Sequence, residues 1–293
     1  MHWHQRRVTR LAAVAVWLDG VLQRPTTVRL LGAGRDFWSL VLPTECAACT
    51  SPAVTLCPEC LARVRAATVR PFRADGGADA LPAAEGYEGG PGDPTDIDVL
   101  PVTAAGHYRG TVSRLLLSYK NRRRTDVGRP LQAALAGALQ TAVHGIRKRG
   151  EQGMILLVPV PSRGASMRRR GYDPLGLLLA GLDRRGELPA GCHVAALVVY
   201  RGALTGGPSV LASRARPVSQ KGLGGSQRRT NVHATMALRP GRCLPPGAVC
   251  LVIDDVLTTG ATIAEVTRVL RHAGAIVAGA AVVAATPAPS RSR

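Results

Sequence analysis

The stretch Val249-Cys-Leu-Val-Ile-Asp254-Asp255-Val-Leu-Thr258-Thr259-Gly260-Ala261-Thr262 constrains this chain more than any other. Val249 to Ile253 is a short apolar, β-branched run, the pattern of a central parallel strand buried on both faces. Two carboxylates follow where the strand should end, and in an open α/β sheet ligands bind outside the carboxyl ends of strands. A loop with two hydroxyls and a glycine comes next. Thr262-Ile-Ala-Glu265 has the spacing of a capping box, so the expected helix starts at Thr262. Ile263, Val266, Val269 and Leu270 share one face, and Gly274 is a natural stop.

This order suits a ligand carrying a cis-diol and a phosphate. Paired carboxylates accept hydrogen bonds from two sugar hydroxyls or hold a divalent cation. A glycine loop entering a helix offers unbonded N–H groups and a positive dipole end to a phosphate. A plain acidic turn before a capped helix explains Thr262 and Glu265 but not two adjacent acids with Thr-Thr-Gly. A Walker B strand would also end in acids. However, none of the three lysines (Lys120, Lys148 and Lys221) follows a glycine, so no G-x-x-x-x-G-K-[ST] loop accompanies it.

Residues 249–262 resemble the type I phosphoribosyltransferases, whose signature is an apolar strand, two acids and a Thr-Gly-x-Thr phosphate loop. The resemblance implies that Asp254 and Asp255 hold the ribose hydroxyls of phosphoribosyl pyrophosphate (PRPP). It also implies that Thr258, Thr259, Gly260, Ala261 and Thr262 cradle its 5′-phosphate.

At 293 residues the chain has room for one α/β domain and something smaller. Aromatic residues are only 3%, so Ala, Val and Leu must do most of the packing. The formal net charge of +19 implies affinity for polyanions, whether phosphates, PRPP or DNA. No apolar run is long enough to span a membrane. Arg6-Arg7 and the run Leu11 to Leu18 resemble a weak signal peptide. Asp19 ends that run without a clear small-x-small cleavage site, so the expected location is cytoplasmic.

Cys46, Cys49, Cys57 and Cys60 form C-x2-C-x7-C-x2-C. Two disulfides or a redox pair would use the same residues. Adjacent C-x-x-C pairs in a chain without a convincing export signal favour a closed, structural Zn²⁺ site, in a small knuckle that needs its metal to fold. Residues 74–98 hold six Gly, three Pro, seven acids and no Lys or Arg, and read as a linker or disordered insert.

The globular pattern then begins. A strand is expected over Val102–Tyr108 and a helix over Thr111–Tyr119, closed by Lys120-Asn-Arg-Arg-Arg124. Lys120 is either a solvated helix-end charge or part of the site. A second helix runs through Pro130–Leu139, and a buried strand over Met154–Val158 ends at its prolines. The next loop carries Ser162, Arg163, Arg168 and Arg170 before Asp173-Pro174, an N-cap with proline at the first helical position. It is a candidate second anion cradle, for the pyrophosphate of PRPP. Ala195–Tyr200 and Ala275–Ala285 are further strands. Residues 213–231, with Arg216, Gln220, Lys221, Arg228 and Asn231, read as a basic loop. It either closes over a charged substrate and excludes water or stays an ordinary solvated loop.

The combination resembles the ComF family of phosphoribosyltransferase-like proteins over most of residues 41–285. It is carried by the cysteine knuckle, Tyr108-x-Gly110, Tyr119-Lys120 and Val158-Pro-Val-Pro161 with Arg-Arg-Gly-Tyr172. Gln220-x-x-Leu223, Arg228-x-x-Asn231 and the 249–262 signature complete it. Family members often have Asn-Gln where this chain has Asp173-Pro174.

The resemblance implies an α/β fold: a type I phosphoribosyltransferase-like parallel sheet flanked by helices, preceded by a small zinc knuckle. Expected boundaries are an extension (1–40), a four-cysteine knuckle (41–70), an acidic Gly/Pro-rich linker or insert (71–100), the phosphoribosyltransferase-like domain (101–286) and a tail (287–293). The implied ligands are PRPP with Mg²⁺ and an unidentified nitrogen acceptor. Family links to competence imply single-stranded DNA or a DNA-uptake helicase as partners. The alternative activity is a non-catalytic single-stranded-DNA-binding accessory role on a repurposed fold.

Overall fold

A computed structural model of the chain describes residues 45–52, 54–84, 99–201 and 234–287. The chain divides into two compact units, residues 1–57 and 58–293. In the first unit the chain turns tightly after Glu45. The Cys46 N–H donates to the Ser51 carbonyl at 2.8 Å, and the Thr50 N–H returns to the Cys46 carbonyl at 2.9 Å.

The second unit opens with helix α1 (Pro58–Thr68) and short strand β1 (Phe72–Arg73). Next come β2 (Val102–His107), α2 (Gly110–Asn121), α3 (Gly128–Lys148) and β3 (Ile155–Pro159). They are followed by α4 (Gly164–Arg170), α5 (Pro174–Arg184), β4 (Cys192–Val194) and β5 (Val198–Tyr200). The unit ends with β6 (Met236–Leu238), β7 (Val249–Leu257), α6 (Ala261–His272) and β8 (Ile276–Ala285). Six strands form one sheet in the order β1-β2-β8-β7-β3-β4. All neighbours are parallel except β1 on β2. This is the mostly parallel sheet with flanking helices that the family resemblance implies.

β7 pairs with β3 on one side and β8 on the other, with Val252 between Val158 and Ala280. Burial on both faces explains its unbroken apolar run. Cys250 is fully buried inside it, and burial pushes its thiol up to about 12, as befits an inert packing residue. Val252, Ile263, Val266 and Leu270 join Val102, Val158 and Val282 in one cluster, so α6 packs its apolar stripe on the sheet.

The connections explain where a site can form. From β3 the chain crosses to β4 on one side, and from β7 through α6 to β8 on the other. The gap between the ends of β3 and β7 is therefore a topological switch point, where parallel sheets open a crevice.

Several expectations are corrected. The Arg/Gly stretch after β3 is not a loop throughout: Gly164–Arg170 is a short helix, closed by Gly171 at φ 80°. Helix α6 starts at Ala261, and its N-cap is Gly260 in the left-handed region with no side-chain cap. Ala195–Tyr200 yields only β5, which pairs with β6 in a separate antiparallel ribbon. The stretch read as linker carries structure over residues 72–84. Arg73 pairs with Asp75 at 2.7 Å, and Ala83 bridges to Val99. Among the described residues no helix is long and apolar enough to cross a membrane.

Candidate functional site

A cavity of about 380 Å³ lies at the switch point. Asp254, Asp255, Thr258 and Thr262 line it from the end of β7 and the start of α6. Ser162, Arg163 and Arg170 line it from the segment after β3, and Lys120 from the end of α2. Two stretches that the sequence separates by about 90 residues thus face one space.

The acid pair is electrostatically unequal. Lys120 Nζ lies 2.6 Å from Asp255 Oδ2. Asp254 accepts the Asp255 N–H at 2.8 Å. Burial, reinforced by the adjacent Asp255 charge, pushes the Asp254 carboxyl up to about 8. A neutral acid donates as well as accepts, so the pair can meet two hydroxyls of a diol from both sides.

The residues expected to cradle a phosphate sit at the N-terminus of α6. The first intrahelical bond is Ala264 N–H to the Gly260 carbonyl at 2.9 Å, so the N–H groups before it have no acceptor within the helix. Thr258 and Thr262 line the cavity, while the Thr259 hydroxyl accepts the Ala261 N–H at 3.4 Å. Glu265 does not complete a capping box. Its buried carboxylate accepts the Met236 N–H at 3.1 Å and pairs with Arg268 at 2.9 Å.

Across the cavity, Ser162 Oγ donates to Asp173 Oδ1 at 2.8 Å, which fixes the turn after β3. Asp173 is the N-cap residue of α5, but its carboxylate serves Ser162 rather than the helix. The Arg170 Nε is buried with no hydrogen-bond partner. Such a donor costs free energy unless an acceptor arrives. Arg163 lies over the Tyr200 ring, 6.0 Å from its centroid. The Arg168 side chain and the loop residues Arg216, Gln220, Lys221, Arg228 and Asn231 lie outside the described structure.

Sequence reasoning left Lys120 undecided and missed Tyr108, Ser166 and Tyr200, which also line the cavity. For Lys120 the available signal was Tyr119. Its hydroxyl donates to the Pro174 carbonyl at 3.1 Å, and Tyr172 donates to its carbonyl. These bonds tie the end of α2 to the turn before α5 and bring Lys120 to the acids.

The sulfur atoms of Cys46, Cys49, Cys57 and Cys60 lie within 4.8 Å of one another. Burial raises the Cys46 thiol, but hydrogen bonds from the Cys57, Ala48 and Cys49 backbones and from the Cys49 side chain outweigh it, leaving it at about 6. A thiol that ionises this readily suits metal ligation, and four thiols this close form a set compatible with structural zinc.

Residues 177–292 match the phosphoribosyl transferase domain family. This part of the chain is a phosphoribosyl transferase domain. Competence protein F of Haemophilus influenzae is 27% identical over 171 residues, 58% of this chain and 66% of that protein. With the four-cysteine cluster, this makes the chain a phosphoribosyltransferase-like homologue of competence protein F. Orotate phosphoribosyltransferase of Pelotomaculum thermopropionicum is 39% identical over 85 residues, 29% of this chain and 43% of that enzyme. That of Chlorobium phaeobacteroides is 46% identical over 44 residues, 15% of this chain and 23% of the enzyme. The chain thus spans just under two thirds of the first relative and less than half of the others. The matched domain begins inside α5, so Lys120 and residues 162–170 join the site from outside it.

Proposed function

We propose that the chain binds PRPP with Mg²⁺ in this cavity and transfers its phosphoribosyl group to a nitrogen nucleophile, releasing pyrophosphate. One observation carries the reading. An acid pair, a helix N-terminus and a basic cradle with an unsatisfied arginine face one cavity at the switch point of a phosphoribosyl transferase fold.

In this reading Asp254 and Asp255 bind the ribose hydroxyls, and Thr258 to Thr262 take the 5′-phosphate on their N–H and hydroxyl groups. Ser162, Arg163, Arg168 and Arg170 hold the pyrophosphate. Lys120 leaves Asp255 as the ribose arrives and offers its charge to the departing oxygens. The loop with Arg216, Gln220, Lys221, Arg228 and Asn231 excludes water, which competes as nucleophile. The carboxylate and hydroxyl oxygens of Asp254, Asp255, Ser162 and Thr258 are hard donors, and among the described residues no Cys or His lines the cavity, so the donor set fits Mg²⁺. Bound with PRPP, the ion would neutralise charge on the leaving pyrophosphate. Zinc in the four-cysteine knuckle is structural, and the chain acts in the cytoplasm.

The test is calorimetric titration of PRPP with Mg²⁺ into zinc-loaded protein, beside the Asp254→Asn/Asp255→Asn variant. Micromolar binding that the double variant abolishes supports the reading. No heat at millimolar PRPP from folded protein rejects it. Activity on individual nucleobases, followed by pyrophosphate release, would then identify the acceptor.

A second reading rests on the basic surface. Arg123 Nη2 donates to the Arg169 carbonyl at 2.6 Å, which brings the basic runs 122–124 and 168–170 together. With a net charge of +19 this favours a single-stranded DNA partner, and by extension a DNA-uptake helicase. DNA affinity that falls steeply with salt and ignores Asp254→Asn distinguishes this role from the first.

A further inference from the structure

The Thr258–Ala261 loop is braced by residues far from it in sequence. Gly260 stands at φ 82°, and no side chain caps the helix that follows. Residues 78–83, well before the matched domain, lie against this loop. The Ala80 N–H donates to the Thr259 carbonyl at 2.9 Å. A Cβ on Gly260 would lie 2.7 Å from Leu81 Cδ2 and 2.8 Å from its Cγ, so the Leu81 side chain fills the space against the glycine. The brace is itself fastened. The Leu100 N–H donates to the Pro82 carbonyl at 2.8 Å, and Arg271 Nη2 of α6 donates to the Ala83 carbonyl at 2.8 Å. Ala78 is buried in the same cluster as Ile263 and Val266 of α6.

We propose that Leu81 is a positioning residue for the phosphate loop: it fixes the Thr259–Gly260 peptide, and so the direction of the N–H groups that meet a terminal phosphate. This rests on the phosphate-loop reading above and deepens it. Leu81 does not line the cavity, so it acts only through the loop. Glycine leaves a loop more freedom than any other residue, and N–H donors bind well only within a narrow angular range. A side chain packed on the outer face removes that freedom before the ligand arrives, and preorganisation of this kind lowers the cost of binding. The Ala80 bond holds the loop at one point; the Leu81 contact restrains its rotation about Gly260.

The test uses full-length, zinc-loaded protein and two probes, ribose 5-phosphate and inorganic pyrophosphate, titrated separately by calorimetry. Leu81→Ala is expected to weaken ribose 5-phosphate on the order of tenfold while leaving pyrophosphate unchanged, and Leu81→Met to restore the lost affinity. If Leu81→Ala does not fold, Leu81→Val is expected to give a smaller loss of the same selectivity. Equal losses for both probes would mean general loosening of the fold and overturn the proposal. So would unchanged ribose 5-phosphate binding in the folded variant. Wild-type protein that binds pyrophosphate but not ribose 5-phosphate would overturn the phosphate-loop reading itself, an outcome visible before any variant is made.

Discussion

Lys120 Nζ stands 2.6 Å from Asp255 Oδ2, across the cavity from the basic turn after β3. The Lys120 side chain is 28% exposed and the Asp255 side chain 20%, so the pair is screened less than a surface bridge. Removing the cation leaves two adjacent carboxyls facing each other. Lys120→Met is expected to destabilise the protein by about 1–3 kcal/mol, the cost of an unpaired, partly buried charge. Urea unfolding measures it, and an unchanged midpoint would show that solvent already meets the charge.

Asp254 makes stability depend on pH in a definite direction. Its folded-state value of about 8 lies above the ordinary 3.8, so the protonated form is favoured by folding. That contribution is complete below about pH 4 and is lost as pH rises through about 8. Wild-type protein should therefore lose melting temperature between pH 5 and 9 relative to Asp254→Asn. Each kcal/mol appears as about 2–4 °C in a domain of this size. Parallel pH profiles would count against a buried carboxyl.

The buried Glu265 carboxylate joins α6 to β6 rather than capping its own helix. Truncation in Glu265→Ala strands the Arg268 charge and the Met236 N–H. The expected loss is about 3 kcal/mol, against a smaller loss in Glu265→Gln. By contrast Thr262→Ala should cost under about 0.5 kcal/mol of stability, because no capping bond is lost. Denaturant midpoints of the three variants decide between this arrangement and a capping box.

The cysteine cluster predicts one zinc per chain, measured by metal analysis of purified protein. Cys46→Ser or Cys60→Ser should lower that ratio and melt the knuckle, because a site of this kind folds with its metal. Cys243→Ser, at an exposed position outside the cluster, should leave the ratio unchanged.

Residues whose neighbours in sequence are also their partners were legible without coordinates. The β7 run, the turn into α6 and the paired C-x-x-C spacing are local patterns, and each fixes its geometry over a short stretch of chain. Partners chosen across the fold were not legible. The spacing of Thr262 and Glu265 fits a capping box. Folding instead brings the Met236 N–H and Arg268 within reach of that carboxylate, and a buried charge goes to its strongest partners. Composition made residues 74–84 look like linker. Yet Ala80 and Leu81 reach Thr259 and Gly260 across some 180 residues, because Ala78 packs into the core beside α6. In sequence Lys120 reads equally well as a solvated helix-end charge. It reaches Asp255 only because Tyr119 and Tyr172 lock α2 to the turn before α5. The sequence by itself determined which segments become central strand, glycine loop and cysteine cluster, since these depend on short-range periodicity and spacing. Only the tertiary structure decided which charges and side chains meet at the switch point, because that depends on strand order and on the packing of distant segments.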